Sequence, residues 1–336
     1  MPSSDCYHAF MKILVTGASG FLGTNIVHEC LKKKHTVRAF SLPGSETSYI
    51  ERRGVEPAFG DVADADAVAR AVKGVDAVIH AAGDTSFWKK RFGRQRMTNV
   101  DGVRAVMEAA HAARVKRVVH TSTVDSLGYN PEGLADEEWG SYNYGGTGYN
   151  YADTKREGER LALSYVAKGL KVVVINPGSM IGPFDHTLQF GRLFMDLRDG
   201  KVPAVLPGGA PWAHVREVAR AHVMALTKGR PGERYICGGV NETYRRVFAV
   251  IAASVGARPP RFTMSPWMTV AYGYLMEFIA NFTGKPPELN PGQARYMSVF
   301  PKYDSSKAER ELGFKIVSIE EMVADAGRWY AENGFL

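Results

Sequence analysis

The sequence predicts an α/β fold, a doubly wound parallel sheet with a smaller C-terminal lobe intertwined with it. Three observations carry that expectation. Short apolar runs alternate with helical periodicities through the first half of the chain. A glycine-rich loop, Thr16-Gly-Ala-Ser-Gly-Phe-Leu-Gly23, follows the first of those runs directly. Beyond Pro177 the alternation gives way to frequent proline and glycine between helical stretches. With 336 residues, 45% of them hydrophobic and 23% charged, the chain is long enough to bury a large core.

The elements follow in order. Lys12–Thr16 is an apolar strand, and Phe21, Leu22, Ile26, Val27 and Leu31 then recur at helical spacing. His35–Ser41 and Val55–Gly60 are the second and third strands. Asp64 caps a helix that runs to Val72, and Ala77–His80 is the fourth strand. A helix over Val100–Ala112, a fifth strand over Arg117–Ser122, a long helix over Tyr151–Ala167 and a sixth strand over Lys171–Asn176 complete the alternating part. The second half holds helical runs at Val215–Thr227, Thr243–Val255, Trp267–Phe282 and Ile319–Asn333. This half is expected to form a substrate lobe over the carboxyl ends of the strands, where open α/β sheets bind ligands.

Composition excludes several classes. A net charge of +7 is modest for this length. The basic run Lys89-Lys90-Arg91, with Arg94 and Arg96, reads as a solvated face, since no aromatic-interleaved basic stripe or nucleic-acid motif accompanies it. A nucleic-acid partner is therefore not expected, and the motifs below point to a small-molecule substrate instead. Three widely spaced cysteines, Cys6, Cys30 and Cys237, give neither a disulfide framework nor a metal-ligand spacing, which suits a reducing cytoplasm. Residues 1–10 are polar and irregular, precede a second methionine at Met11, and read as a disordered extension or an upstream start. The most apolar stretch, Met268 to Phe282, carries Glu277, is too short to span a bilayer, and reads as a buried or interfacial helix.

Two features point to chemistry. Gly17, Gly20 and Gly23 lie three apart between a strand and a helix. A tight turn there lets backbone approach a pyrophosphate and faces the helix N-terminus toward it, as dinucleotide binding requires. Downstream, Tyr151 and Lys155 stand four apart on a helix, so their side chains share a face with Cβ atoms about 5–6 Å apart. An ammonium near a phenol favours phenolate, which suits the tyrosine to proton transfer beside a bound dinucleotide. Of the tyrosines crowding this loop (Tyr142, Tyr144, Tyr149 and Tyr151), Tyr151 alone has a lysine four residues on.

Thr16–Gly23, Gly60-Asp-Val62, His80-Ala-Ala-Gly83, Tyr151-x-x-x-Lys155 and Asn176-Pro-Gly178 occur in the order of the extended short-chain dehydrogenase/reductase superfamily, which the chain resembles from about Lys12 to its end. It is most similar to dihydroflavonol-4-reductase-like proteins and, through Asn176–Pro183 and Gly232–Gly239, to the hopanoid-associated sugar epimerase group. The resemblance implies a Rossmann domain mainly within residues 11–178 and a substrate lobe mainly within 179–336, some segments of which return to the core.

The resemblance also assigns roles. Gly17, Ser19, Gly20, Phe21, Leu22 and Gly23 would cradle the dinucleotide, with Asp61 accepting from the adenine amino group and Val62 offering backbone contacts. Ala81, Ala82 and Gly83 would let backbone approach the coenzyme, and Pro177-Gly178 would anchor the carboxamide. Lys155 would hold the nicotinamide ribose, Tyr151 would pass the proton, and Thr123 would bind the substrate oxygen; Ser122 is the near alternative for that hydroxyl, and the alignment turns it toward the sheet. Asn99 stands just before a helix, either steadying the sheet near the site or acting as an ordinary N-cap. His214-Val-Arg-Glu stands where relatives usually have two adjacent acids, so Arg216 puts a local cap or lobe contact in question.

The coenzyme is NAD or NADP. The tip of the second strand, Phe40-Ser-Leu-Pro43, lacks both an acid for a 2′-hydroxyl and the arginine used for a 2′-phosphate; the missing arginine tips the choice toward NAD. Thr85, Phe87, Trp88, Ser179 and Met180 are substrate-side residues, and Trp139, Phe184, Phe190, Phe194 and Trp212 would extend an apolar pocket. The leading reading is a reductase or dehydrogenase of a moderately hydrophobic carbonyl or alcohol. The second is a nucleotide-sugar epimerase or dehydratase, and the third a non-catalytic dinucleotide sensor. By analogy a homodimer would form through the helix bearing Tyr151 and the helix before it, using Val103, Val106, Met107, Ala110, Leu161 and Tyr165.

Overall fold

The computed structural model describes residues 10–336. The extension expected over residues 1–10 therefore lies, except for Phe10, outside the described residues.

Short, mostly apolar runs build the sheet: β1 (Lys12–Thr16), β2 (Thr36–Ser41), β3 (Val55–Phe59), β4 (Ala77–His80) and β5 (Arg117–Thr121). After a two-residue bridge strand β6 (Leu134–Ala135) comes β7 (Val172–Pro177). The chain then leaves the sheet for β8 (Ser179–Ile181), β9 (Ala204–Val205) and β10 (Gly209–His214), and returns at β11 (Arg234–Cys237). The central sheet has seven strands in the order β11-β7-β5-β4-β1-β2-β3. Every neighbouring pair is parallel. Six of these strands match the sequence reading to within a residue or two. The seventh, Arg234–Cys237, is an addition to it.

Helices cover both faces. One core packs α1 (Phe21–Lys32) and α7 (Val215–Ala225) under the sheet around Ile13, Val15, Ile26, Val218 and Tyr235. The other packs α2 (Ala65–Val72), α4 (Gly102–Ala112) and α5 (Asn150–Ser164) around Leu14, Val68, Val106 and Val118. Asp64 caps α2, accepting from the amides of Asp66 and Ala67. Val103, Val106, Met107 and Ala110, expected at a dimer contact, belong to this second core, and Tyr165 is buried with them. The apolar stripe of α4 is consumed inside the molecule.

The helix before α4 begins earlier than its apolar periodicity suggests. α3 (Phe92–Arg96) passes through a π-helical stretch, Met97–Asp101, directly into α4. Asn99 is thus inside a continuous helix and not at an N-cap. Wide π turns often mark functional sites because the extra residue re-aims a side chain.

The lobe is a three-stranded sheet, β12 (Val240–Thr243), β10 and β8, packed by α6 (Arg192–Arg198), α8 (Tyr244–Ser254) and α12 (Ile319–Glu332). Phe194 and Trp212, expected along the pocket, lie fully inside this core with Tyr330. Phe190 packs edge-on against Trp212, and Phe184 stacks on His28. His214 caps α7 through Nδ1, which accepts from the Arg216 amide, and its Nε2 donates to Asp325. Asp325 also pairs with Arg216, so α12 supplies the carboxylate that the His214-Val-Arg-Glu run lacks. The chain continues through β13 (Phe262–Thr263), α9 (Pro266–Thr283), α10 (Pro291–Tyr296), β14 (Lys302–Tyr303) and α11 (Ser306–Leu312).

Candidate active site

The strand order reverses between β1 and β4, and the cleft at their carboxyl ends is where open α/β sheets take ligands. It encloses about 1190 Å³ counting its open mouth. It is lined by all the residues expected to bind the dinucleotide: Gly17, Ser19, Gly20, Phe21, Leu22, Gly23, Asp61, Val62, Ala81, Ala82, Gly83, Tyr151, Lys155, Pro177 and Gly178.

The loop fits a pyrophosphate for steric and polar reasons. Gly17 has φ +68°, and a Cβ there would stand 2.8 Å from the Ala82 backbone. A Cβ on Gly23 would lie 1.9 Å from the Gly17 carbonyl, so the turn closes only on glycine. Gly20, at the N-cap of α1, provides no capping side chain and leaves the first-turn amides available to an anion. At the tip of β2, Ser41 Oγ is buried without a hydrogen-bond partner and lines the cleft, which suits a ribose hydroxyl. Asp61 accepts from the Ala63 amide and pairs with Arg94 at 2.7 Å. Arg94 therefore belongs to the cleft wall and not to a purely solvated face.

The helix that carries Tyr151 and Lys155 is fixed on two sides. From the π stretch, Asn99 Oδ1 accepts from the Asp84 amide at 2.8 Å while its Nδ2 donates to the Asp84 carbonyl and to Thr154 Oγ1. One buried amide thus ties the segment after β4 to α5. Beneath, Glu159 is buried, pairs with Arg234 of β11 at 2.5 Å and accepts from Ser126 Oγ and Asn176 Nδ2. Asn176 Nδ2 also donates to the Thr123 carbonyl, so β7, β11 and the segment after β5 meet at one carboxylate.

Ser122 and Thr123 point to different places. Ser122 Oγ donates to Ser126 Oγ in the network behind the site. The Thr123 hydroxyl lies against that of Tyr151 and accepts from the Asp125 amide. Asp125 is buried, accepts from Tyr149 Oη at 2.9 Å, and is pushed up to about 6 by burial. Nothing in the sequence marked this acid, because the tyrosines that surround it, Tyr149 and Tyr296, come from distant segments.

Electrostatics correct one expectation. Burial foremost, then the Asp125 carboxylate, holds the Tyr151 phenol above its ordinary value, and only the Thr123 hydroxyl opposes them. Lys155 does not lower it here. Its ammonium donates to the Thr121 carbonyl at 2.7 Å, and burial brings it down to about 8 against the opposing charge of Glu159. Behind it, His80, His120 and His222 are all buried and held below their ordinary values by burial, hence neutral at pH 7.

A value near 8 places the Lys155 titration within reach of kinetics. The side chain is cationic below about pH 8 and neutral above, whereas the unfolded chain keeps the proton to its higher ordinary value. Burial of this cation therefore destabilises the fold at neutral pH, and the penalty is relieved as pH rises between those two values. For activity the sign is opposite. If the ammonium holds the coenzyme's ribose hydroxyls, its loss would weaken that grip, so kcat/KM is expected to fall above about pH 8, and Lys155→Arg is expected to remove that alkaline limb. A pH–rate profile of both proteins checks this.

The expected substrate-side residues divide. Thr85 and Met180 line the cleft. Phe87 stacks on Tyr149 and lies 6.2 Å from the Tyr151 ring, forming an aromatic wall beside it. Trp88 and Ser179 are not among the lining residues: Trp88 lies under Lys90, and Ser179 pairs with Trp212 in the lobe sheet. Nor does Trp139 reach in, donating instead to the Ser141 carbonyl, while Glu137 of the same loop accepts from the Ile236 amide. Gln189, Thr98 and Ser45 line the cleft without a local motif that could have announced them.

Comparison with known proteins agrees with this geometry. Residues 13–238 match the NAD dependent epimerase/dehydratase family. The chain is 32% identical over 331 residues to sterol demethylase protein B of Methylococcus capsulatus, covering 97% of this chain and 100% of that one. It is 32% identical over 329 residues to a 2-alkyl-3-oxoalkanoate reductase of Stenotrophomonas maltophilia, covering 93% and 97%. The crystal structure of gox2253 superposes with a TM-score of 0.82 at 30% identity, covering 96% of this chain and 99% of that one. The chain belongs to the NAD dependent epimerase/dehydratase family within the extended short-chain dehydrogenases/reductases, and its chemistry is NAD-dependent oxidoreduction.

Proposed function

We propose that the protein reduces a carbonyl, or oxidises the corresponding alcohol, on a moderately hydrophobic substrate of the secondary-metabolite kind. The observation that carries this reading is the meeting of Tyr151, Thr123 and Lys155 with the glycine loop in one cleft, with the Phe87 ring packed beside Tyr151. A bound nicotinamide would supply or accept the hydride. Thr123 donates to the substrate oxygen, and Tyr151 delivers the proton that completes the alcohol. In the oxidative direction Tyr151 receives it. Lys155 fixes the nicotinamide ribose through its hydroxyls, and the backbone at Pro177-Gly178 holds the carboxamide. Residues 11–178 mainly serve the dinucleotide and residues 179–336 mainly the substrate.

NAD is the preferred coenzyme of this reading, because the end of β2 offers Ser41, Leu42 and Ser45 to the adenosine ribose and no cation. Leu42→Arg is expected to raise affinity for NADPH relative to NADH about tenfold, as a new charge-assisted contact to a 2′-phosphate would. Fluorescence titration with both coenzymes measures it. The compartment fitting the buried thiols of Cys30 and Cys237 is the cytoplasm. A homodimer through α4 and α5 would have to use their outer charged residues, including Arg104, Glu108, Glu157 and Arg160; sedimentation as a monomer alone at micromolar concentration removes it.

The epimerase or dehydratase reading is favoured by the family match itself. Absorbance at the reduced-nicotinamide band separates the two, using aromatic ketones and quinones as acceptors. Net oxidation of NADH or NADPH supports the reductase, whereas tight coenzyme binding with no oxidation by any acceptor moves the assignment to internal coenzyme recycling.

A further inference from the structure

Helix α9 is built inside out. Its inward face is made of small residues, Thr269, Gly273 and Ala280, all buried, with Gly273 lying so close to Asn290 that a Cβ would meet that backbone at 3.0 Å. Its outward face carries the large ones. Trp267 is 73% exposed, Phe278 60% and Phe282 77%, with Tyr274 and Leu275 between them. At 100° per residue these positions fall on one stripe, about 22 Å long from Trp267 to Phe282. A surface helix ordinarily shows the reverse arrangement, and a continuous exposed apolar face of this kind marks an interaction surface.

Charge identifies the occupant. Lys89, Lys90 and Arg91 are exposed beside the helix, and Lys89 reaches Glu277 at 3.3 Å. Exposed Arg258 and Arg261 precede α9 and exposed Lys285 follows it. The nearby acids are already engaged, Glu277 by Lys89 and Glu288 by Tyr272 Oη. Between Trp267 and Tyr274 an open groove, floored by Val270 and Ala271, ends at Arg295. A second copy of the chain on this face would set one basic rim against another, at a cost in like-charge repulsion. An anionic bilayer accepts both halves of the pattern: aromatic and aliphatic side chains enter the acyl boundary while cations meet headgroup phosphates. No helix among the described residues is long and apolar enough to cross a membrane, so α9 would lie along its surface.

We infer that α9 is a peripheral docking face for anionic lipid bilayers. Through α10, on whose N-cap Asn290 the buried Gly273 of α9 packs, the face adjoins the substrate side of the site: Asn290 donates to the Phe87 carbonyl, and Tyr296 of α10 stacks on Tyr149 at 4.5 Å. Docking therefore brings the aromatic wall beside Tyr151 close to the membrane plane. The inference does not depend on which substrate or coenzyme the site takes.

Flotation with phosphatidylcholine vesicles, with and without an equal part of phosphatidylglycerol, tests it on the full chain. The protein is expected to float with the anionic vesicles, less with phosphatidylcholine alone, and less as salt rises. Its tryptophan emission is expected to shift to the blue, a shift lost in Trp267→Phe while flotation persists. The double variant Phe278→Ser/Phe282→Ser is expected to lose about tenfold or more in vesicle affinity. Arg258→Glu/Lys285→Glu is expected to bind anionic vesicles more weakly with a flatter salt dependence. Unchanged melting temperature and unchanged NADH titration in each variant separate loss of docking from loss of fold. Wild-type protein that stays behind at low salt, or a double variant that floats equally well, overturns the inference. A wild-type dimer that Phe278→Ser/Phe282→Ser turns into monomer, with no vesicle affinity in either, also overturns it and gives the face to a second copy.

Discussion

Tyr151→Phe is expected to lower kcat by about a hundred- to ten-thousandfold, the usual contribution of a positioned general acid or base. Coenzyme affinity and melting temperature should change little, because the hydroxyl is the only group removed and the ring keeps its packing against Phe87 and Tyr149. Burial and Asp125 hold this phenol above its ordinary value, so at neutral pH it is protonated and ready to give its proton to a forming alkoxide. Stopped-flow reduction of an active acceptor by the wild type and the variant measures the ratio. A variant that turns over at the wild-type rate would remove Tyr151 from the chemistry, and Thr123 would then have to be tested as the donor.

The second large effect concerns the support of the site. Gly158, on α5, lies against the π stretch, where a Cβ would stand 2.2 Å from the Asn99 carbonyl and 3.3 Å from Val103 Cγ2. Backbone cannot yield there without breaking the link from Asn99 to Asp84 and Thr154. Gly158→Ala is therefore expected to cost about 3 kcal/mol or more in stability, at the upper end of overpacking, and to lower activity as well. Gly327→Ala is the control. It adds the same methyl to α12, where nothing lies within 4 Å, and should stabilise by about 0.5–1 kcal/mol. Thermal and denaturant melts of both variants test the contrast.

What could be read from the sequence was local. The glycine loop, the Asp64 cap and the alternating strands each depend on residues within a few positions of one another, and each stands in the structure where the sequence put it. The Tyr151–Lys155 spacing likewise fixed a shared helix face. The charge environment of Tyr151 was not readable, because Asp125 reaches it from another segment and Lys155 spends its donor on Thr121. α3 escaped notice because Phe92–Arg96 is a basic run with a glycine and no apolar period. Phe194 and Trp212 show a further limit. Large aromatics suit a pocket wall and a core equally, and only the packing of the lobe sheet against α6 and α8 decides for the core. α9 was recognised as apolar, but composition does not say which way an apolar helix faces.

β11 joins the central sheet only after the excursion through β8, β9, β10 and α7. During synthesis, a chain that has emerged as far as β7 presents Val172-Val-Val-Ile175 as a bare hydrophobic margin with unpaired amides and carbonyls. Until Arg234–Cys237 arrives to cover it, and brings Arg234 to Glu159, the ribosome-bound intermediate is open to sticking edge-on to its neighbours. C-terminal truncations ending between β7 and β11 should therefore accumulate as aggregates.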